Sequence, residues 1–174
     1  MPNWCQNRLV IEHEHSAQIQ KICDVVAKDE GLLNHLLPMP DEIFRGPIGG
    51  KELEPFNSLG IPTWYDWSIK NWGTKWEVTN ITAQKKSEKK LLLHFQSAWS
   101  PPLPICKALI ERGFSVEFHY IEYGMNFGGF FKGSGDAVDE KFFDDLSKSL
   151  TSELEQVFEF SSYLEWLNSS STKH

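Results

Sequence analysis

The chain of 174 residues is 40% hydrophobic and 24% charged, a composition that excludes an intrinsically disordered or fibrous protein. Its length suits one domain with a sizeable core, so folding requires neither disulfides nor a metal. The chain has no apolar run of about 18 residues and no apolar leader after its start MPNWCQNR, so we expect neither a transmembrane helix nor a signal peptide. Its three widely spaced cysteines form no disulfide framework, which indicates a reducing, cytoplasmic location.

Acidic residues are concentrated at the C-terminal end of the chain. The formal net charge is −7; residues 1–135 carry 14 basic and 15 acidic residues, and residues 136–174 carry 3 and 9. The nearly neutral body offers no basic face, so we expect no nucleic acid partner. The one basic cluster, KKSEKK at 85–90, is typical of a solvated hairpin turn, with a phosphate-contacting loop as the alternative.

The first part of the chain predicts a strand, a helix, a long loop and a second helix. Alternating apolar side chains favour a strand over 4–13. Ser16 is a candidate N-cap for a helix over about 17–29, where apolar residues recur at helical spacing. Repeated proline and glycine predict a loop over 31–63, and the tryptophan-rich segment 63–72 favours a short helix.

The middle of the chain predicts a hairpin, a helix and two further strands. Alternation favours strands over about 76–84 and 91–98, joined by the basic turn. The proline pair that follows the second strand can open a helix, which ends at Gly113. A strand is predicted over 114–123, and residues 127–132 add a short edge strand.

The order strand, helix, strand, strand, helix, strand predicts an α+β fold. It favours a ferredoxin-like split βαβ plait over residues 1–133, in which an antiparallel sheet carries two helices on one face. Over residues 134–168 we expect an acidic helical extension, and the tail at 169–174 is expected to be disordered. The apolar residues that indicate this extension recur every four positions: Phe142, Leu146, Leu150 and Leu154.

Four segments of unusual composition carry a family resemblance. They are MPNWCQNR at 1–8, WYDWSIKNWGTKW at 64–76, FQSAWSPP at 95–102 and HYIEYGMNFGG at 119–129. Together they resemble the YubB-like family of plasmid and bacteriophage proteins, which is described as carrying a ferredoxin-like domain and has no assigned function. The resemblance implies a small cytoplasmic accessory protein of a mobile element that acts in a bacterial host. It is silent about the acidic C-terminal segment.

Tryptophans at the ends of predicted elements, with polar residues beside them, are the candidate ligand site. The set consists of Trp4, Trp72, Trp76 and Trp99 together with Asn3, Asn7, Lys75 and Glu122. One interpretation is an aromatic pocket for a ring-bearing ligand such as a nucleotide, completed by a Lys75–Glu122 ion pair. The alternatives are tryptophans that wedge loops and helices onto the sheet with asparagines that hold loop backbone, or a hot spot for a protein partner.

Catalytic and metal-binding patterns are weak in this sequence. It contains no nucleophile elbow, phosphate-binding loop or zinc-protease helix, and His13 and His15 have no further ligand at zinc-like spacing. We therefore expect no catalytic residue, no metal and no cofactor, and we favour a protein that is not an enzyme. Among enzymes, the remaining hypothesis is a site built from Asn7, Lys75 and Glu122, which lack a recognisable mechanistic spacing.

The acidic residues near the start of the predicted extension are a second candidate surface. Asp139, Glu140, Asp144 and Asp145 either contact a protein partner or form the solvated start of a helix. The leading hypothesis is a non-enzymatic binding or modulator protein that acts on a host macromolecule, with a host protein as partner. The alternative is a small-ligand-binding domain that uses the aromatic pocket, and the oligomeric state is left open.

Overall fold

The computed structural model describes residues 3–163 and residue 165. The strands in this part of the chain are β1 (Trp4–Glu12), β2 (Thr79–Ser87), β3 (Lys90–Ala98), β4 (Ser115–Glu122), β5 (Phe127–Ser134) and β6 (Ala137–Phe143). All neighbouring strands pair antiparallel, in the spatial order β2-β3-β1-β4-β5-β6. The predicted α+β class and the antiparallel sheet are therefore confirmed.

Short helices connect and flank these strands. They are α1 (Ser16–Lys28), α2 (Leu32–Leu36), α3 (Glu54–Ser58, after a 3₁₀ turn at Lys51–Leu53), α4 (Trp64–Asn71), α5 (Leu103–Glu111), α6 (Leu146–Ser149) and α7 (Ser152–Phe158). The predicted loop over 31–63 thus contains two short helices. The Thr63 hydroxyl group caps α4 by accepting a hydrogen bond from the Asp66 amide (3.1 Å). The predicted tail at 169–174 lies outside the described residues.

The main core lies between one face of the sheet and the helices α1, α2 and α5. Leu9 of β1 lies between Leu93 of β3 and Phe118 of β4, and all three are buried. Ile19 of α1 and Leu109 of α5 pack into the same cluster. Burying a side chain of this size stabilises the fold by about 1.5–3 kcal/mol, so this core fixes the positions of the central strands.

The C-terminal segment packs on the opposite face of the sheet. Ile121 follows Tyr120 in β4 and therefore points to the other side, where it joins a second buried cluster. The other buried members of this cluster are Phe143, Leu146, Leu154 and Phe160. The end of β6, α6 and α7 are thus held against β4 by apolar contacts.

Residues 137–143 form a strand, so the helix predicted for this part of the acidic segment is wrong. They pair with residues 128–134 of β5 after a turn in which Gly135 adopts φ +56°, a conformation suited to glycine. This pairing satisfies backbone groups that the edge of β5 would otherwise leave open. The period-four apolar pattern misled because it runs across three separate elements: Phe142 in β6, Leu146 in α6 and Leu154 in α7.

Charged side chains also connect α7 to the sheet on this second face. Glu153 Oε1 lies 2.8 Å from Nε2 of the buried His119 and accepts a hydrogen bond from Lys132 Nζ. Beside them, Arg8 Nη1 donates to Glu117 Oε1 over 2.9 Å. The hydrogen bond from Lys132 holds the pKa of Glu153 below its ordinary value; burial opposes this shift, and the contact with His119 adds to it.

Acidification is expected to weaken the attachment of α7, and Glu153→Gln should remove part of this pH dependence. Because the pKa of Glu153 is lowered by folding, its contribution to the free energy of unfolding is complete above the unfolded value near 4.5 and is lost as the pH falls through the folded value. Urea titrations from about pH 7 to about pH 3 measure this loss. The exposed Glu159, replaced by glutamine, is the control; an equal effect of both changes would contradict the assignment.

Candidate functional site

Three of the four segments that carry the family resemblance meet at one end of the sheet, where β1 begins and β3 and β4 end. Trp4 at the start of β1 pairs with Ala98 at the end of β3. Cys5 then pairs with Glu122 at the end of β4, and the Trp99 amide donates a hydrogen bond to the Asn3 carbonyl oxygen (2.9 Å). The start of β1 and the ends of its two neighbours therefore lie side by side.

The fourth segment contains α4, and its last residues, after the helix, reach the same end of the sheet through hydrogen bonds. Thr74 Oγ1 donates to the Ala98 carbonyl oxygen over 2.8 Å, and Ser100 Oγ donates to that of Gly73 over 2.5 Å. Gly73 has φ +78°, and a Cβ at this position would lie 2.8 Å from Pro104 Cδ. A larger residue would therefore push this segment away from the start of α5.

These elements border an open groove of about 380 Å³, which we call the aromatic groove. Its principal lining residues are Trp99, Pro101, Pro104, Tyr120, Phe127 and Phe142. No charged side chain of the described residues lines it. The groove thus offers rings and apolar surface rather than charge, and its volume is within the range of small-molecule sites, roughly 300–1,000 Å³.

Trp99 has an unusual backbone at the mouth of the aromatic groove. Its φ is +70°, in the left-handed region that bulky side chains rarely adopt, and the hydrogen bond from its amide to Asn3 helps to hold it there. Trp99 is 48% exposed, and Phe142 is 59% exposed. Strained residues of this kind cluster at functional sites, where the surrounding structure compensates for the cost.

Tyr120 lines the same groove and has an unpartnered hydroxyl group. The residue is fully buried, and its Oη has no hydrogen-bond partner among the described residues. Gly129 of the adjacent β5 leaves room for it, because a Cβ there would lie 2.4 Å from Tyr120 Oη and 2.3 Å from the Lys141 carbonyl oxygen. Burial raises the pKa of the Tyr120 phenol, with the nearby Glu140 adding to the effect, so the hydroxyl group remains a donor.

Two of the candidate residues predicted from the sequence have structural roles. Asn7 is buried, and its Nδ2 donates to the Cys5 carbonyl oxygen and to Ser97 Oγ, both over 2.9 Å. Trp72 is buried and donates from Nε1 to the Leu37 carbonyl oxygen over 2.8 Å. Asn7 therefore ties β1 to β3, and Trp72 ties the segment after α2 to the body.

The Lys75–Glu122 ion pair considered from the sequence does not form. The buried Glu122 accepts hydrogen bonds from the Gly124 amide (2.9 Å) and from the Met125 amide, so its carboxylate closes the β4–β5 turn. Lys75 Nζ lies 4.6 Å from the ring centroid of Trp76. Trp76 precedes β2, which begins at Thr79, three residues later than the strand predicted there. Neither Lys75 nor Trp76 lines the aromatic groove.

The remaining candidates lie near the groove or along the acidic segment. Trp4 is half-buried at the start of β1, and a Cβ on Gly124 would lie 3.2 Å from Asn3 Nδ2, which places that amide beside the β4–β5 turn. Asp139 and Glu140 lie in β6 and not in the predicted helix, and Asp144 is exposed after it.

Asp145 has a structural role as the N-cap of α6. It accepts hydrogen bonds from the Ser147 amide (3.1 Å) and from Asn126 Nδ2 (2.7 Å). The hydrogen bond that Lys148 donates to Asp145, together with that from Ser147, lowers the pKa of Asp145 to about 2. The carboxylate is therefore engaged within its own segment and is a weak candidate for a partner contact.

Sequence reasoning missed Tyr120, Phe127, Phe142 and Gly129 as parts of one site. Strand alternation puts Tyr120 on the same side of its strand as Phe114, Val116 and Phe118, but it gives no sign that its hydroxyl group lacks a partner. Phe142 was assigned to a helix, which hid its position beside Phe127, whose ring centroid lies 5.7 Å away. The paired glycines next to aromatic residues in GGFF, at 128–131, were the available signal for a space in the sheet.

Two free cysteines, Cys5 and Cys106, are buried in the fold. Burial raises the pKa of the Cys5 and Cys106 thiols, so neither is a ready nucleophile. Among residues 3–163 and 165, no three His, Cys, Asp or Glu side chains are grouped to hold a metal ion. In the same part of the chain, no helix has the length and apolar character needed to cross a membrane.

Comparisons with known proteins bear on the fold. No family model and no curated protein matches the chain. A crystal structure of the protein api92 from Yersinia pseudotuberculosis, family model DUF1281, is similar to it, with 11% sequence identity and a TM-score of 0.51. The match covers 81% of this chain and 98% of that chain. At such low identity the similarity shows the fold alone and assigns no function.

Proposed function

We propose that this protein is a non-catalytic binding protein whose aromatic groove holds a small ring-bearing ligand. The observation that carries the proposal is Trp99, a half-exposed residue with a left-handed backbone that lines the groove together with the exposed Phe142. A left-handed conformation costs about 1–2 kcal/mol for a residue with a side chain, and exposed apolar area contributes no stability. A ligand that covers both rings accounts for their position at the edge of the sheet.

The proposal includes a finer description of the fold and its context. The order β2-β3-β1-β4, with α1 and α5 packed into one core, supports a ferredoxin-like split βαβ plait to which β5 and β6 are added. Membership of the YubB-like family, and a cytoplasmic accessory role for a mobile element in a bacterial host, rest on the four resemblance-bearing segments. Their meeting at the candidate site is consistent with a shared binding role.

An enzyme built from Asn7, Lys75 and Glu122 receives little support. The Asn7 amide and the Glu122 carboxylate are engaged by hydrogen bonds within the fold, and the Lys75 ammonium group lies over an aromatic ring. General acid–base chemistry needs groups that can reach a substrate and exchange a proton with it. Each of the three groups is engaged within the fold, which favours binding over catalysis.

Replacing Trp99 by glycine is expected to remove the bound ligand while the fold remains. Native mass spectrometry of protein purified from bacterial lysate should show a small non-covalent mass on the wild type and none on Trp99→Gly. Glycine adopts positive φ without strain, so Trp99→Gly should be about 1 kcal/mol more stable than Trp99→Ala. Tyr65→Ala, which removes an exposed ring outside the aromatic groove, is the control and should keep the ligand.

Two results would contradict this proposal. One is a wild-type protein whose native mass carries no small molecule in several bacterial hosts. The other is a small molecule that remains bound to Trp99→Gly. In either case Trp99 would have a structural role only, and the binding surface would have to lie elsewhere.

A modulator of a host macromolecule is the second candidate, and the outer edge of the sheet favours it. No strand of the described residues pairs with the outer side of β6, along which Asp139 and Glu140 are exposed. Such an edge can accept a strand from a partner, and its carboxylates favour a basic one. Capture of a basic host protein that Asp139→Lys abolishes and Trp99→Gly leaves intact would favour this candidate over ligand binding.

A further inference from the structure

The hydroxyl group of Tyr120 is a specific feature of the aromatic groove. Tyr120 is one of the residues that line the groove, and its Oη is buried without a hydrogen-bond partner among the described residues. A buried donor without an acceptor costs about 1–3 kcal/mol, so native proteins rarely keep one unless a ligand, an ion or water pairs with it. The phenol is therefore placed to donate a hydrogen bond to a molecule that enters the groove.

We infer that the ligand is a neutral planar ring that carries one hydrogen-bond acceptor, and that the Tyr120 hydroxyl group donates to this acceptor. The inference rests on the proposed function, in which the groove holds a small ligand. The rings of Trp99, Phe127 and Phe142 supply apolar walls that suit a flat ring. The volume of about 380 Å³ is near the lower end of small-molecule sites, so one or two rings fill it.

The lack of charged side chains in the groove disfavours the nucleotide considered from the sequence. No lysine, arginine, aspartate or glutamate of the described residues lines the groove. The cations nearest along β5 and β6 are engaged on aromatic rings: Lys132 Nζ lies 5.1 Å from the Phe130 centroid, and Lys141 Nζ lies 5.1 Å from that of Phe143. A phosphate or carboxylate in the groove would lose its hydration without gaining an ionic partner, which disfavours anionic ligands.

A matched pair of probes isolates the hydrogen bond. Acetophenone and α-methylstyrene have nearly the same shape, but only acetophenone carries a carbonyl acceptor where the other has a methylene group. Ligand-observed NMR titrations give their Kd values for the wild type, Tyr120→Phe and Trp99→Gly. We expect Tyr120→Phe to raise the Kd of acetophenone by roughly three- to tenfold and to leave the Kd of α-methylstyrene within about twofold of the wild-type value. Trp99→Gly should lower the affinity of the protein for both probes.

The variants and a third probe serve as controls. Tyr120→Phe removes a hydroxyl group that has no partner in the fold, so it should unfold at the same urea concentration as the wild type or a higher one. Tyr65→Phe, outside the groove, should leave both affinities unchanged. Benzoate adds a negative charge to the acetophenone framework and should bind at least about tenfold more weakly than acetophenone, because no cation compensates for its lost hydration.

Three outcomes would overturn the inference. The first is an equal change in the Kd values of both neutral probes in Tyr120→Phe. The second is benzoate that binds as tightly as acetophenone, and the third is that neither neutral probe binds to the wild type. If the native small-molecule mass persists on the wild type in any of these cases, only the assigned ligand class fails. If that mass is also absent, the proposed function fails with it.

Discussion

Replacing Gly129 by alanine is expected to lower the free energy of unfolding by about 3 kcal/mol. The new Cβ would lie 2.3 Å from the Lys141 carbonyl oxygen and 2.4 Å from Tyr120 Oη. Lys141 is paired within the sheet, so the backbone oxygen cannot move without breaking the β5–β6 pairing. Overpacking of this kind costs about 1–3 kcal/mol and occasionally more. Urea denaturation followed by circular dichroism measures the change.

Gly133→Ala is the matched control because Gly133 lies on the same face of β5. Its new Cβ would lie 2.3 Å from Ile110 Cδ1, the far end of a flexible side chain, and 3.4 Å from the Ala137 carbonyl oxygen. The isoleucine can change rotamer, so the loss should be under about 1.5 kcal/mol. Equal losses for the two variants would mean that the space beside Tyr120 does not constrain the sheet.

Leu154→Ala is expected to destabilise the C-terminal segment by about 2–5 kcal/mol. Leu154 of α7 is fully buried in the second cluster, and truncation would leave a cavity against β4. Hydrogen exchange should become faster at the amides of Ser152–Phe158, whereas exchange at those of α1 in the main core should change less. Urea denaturation gives the overall loss.

Val138→Ala is the control for this second variant. Val138 is 54% exposed on β6, so its truncation should change the free energy of unfolding by less than about 0.5 kcal/mol. If Leu154→Ala leaves the exchange of α7 unchanged, the second cluster does not hold the C-terminal segment on the sheet. Because the aromatic groove lies on the other face, with Tyr120, Leu154→Ala should also retain ligand binding in the groove.

The predicted elements that the structure contains are those indicated by a pattern within a few consecutive residues. Leu9 and Ile11 alternate with Arg8, Val10 and Glu12, which indicates a strand because successive side chains of a strand point to opposite faces. The basic segment at 85–90 spans the end of β2, a turn at residues 88–89 and the first residue of β3, and Lys85 pairs with Glu88 across this turn. Local chain geometry accounts for each of these features, so the sequence suffices to predict them.

Other expectations failed where a distant partner decides the outcome. Residues 137–143 form a strand because β5 offers an open edge, and that edge exists only after β4 and β5 have paired. Trp72 and Trp99 look alike in the sequence, as tryptophans at element ends. The Trp72 indole donates a hydrogen bond to the Leu37 carbonyl oxygen, and Trp72 is buried. Trp99 instead donates from its backbone amide to the Asn3 carbonyl oxygen, and the residue stays half exposed.

In the candidate site too, some features follow from the local sequence and others depend on distant partners. The residue pattern alone indicated that tryptophans and polar side chains stand at the ends of elements, because the ends follow from periodicity and from proline and glycine. The aromatic groove itself, with the unpartnered Tyr120 hydroxyl group and the space beside Gly129, depends on strand register and on how α5 packs against the sheet. A groove is a gap between segments far apart in the chain, so only the tertiary structure determines its walls, its charge and the group it can bind.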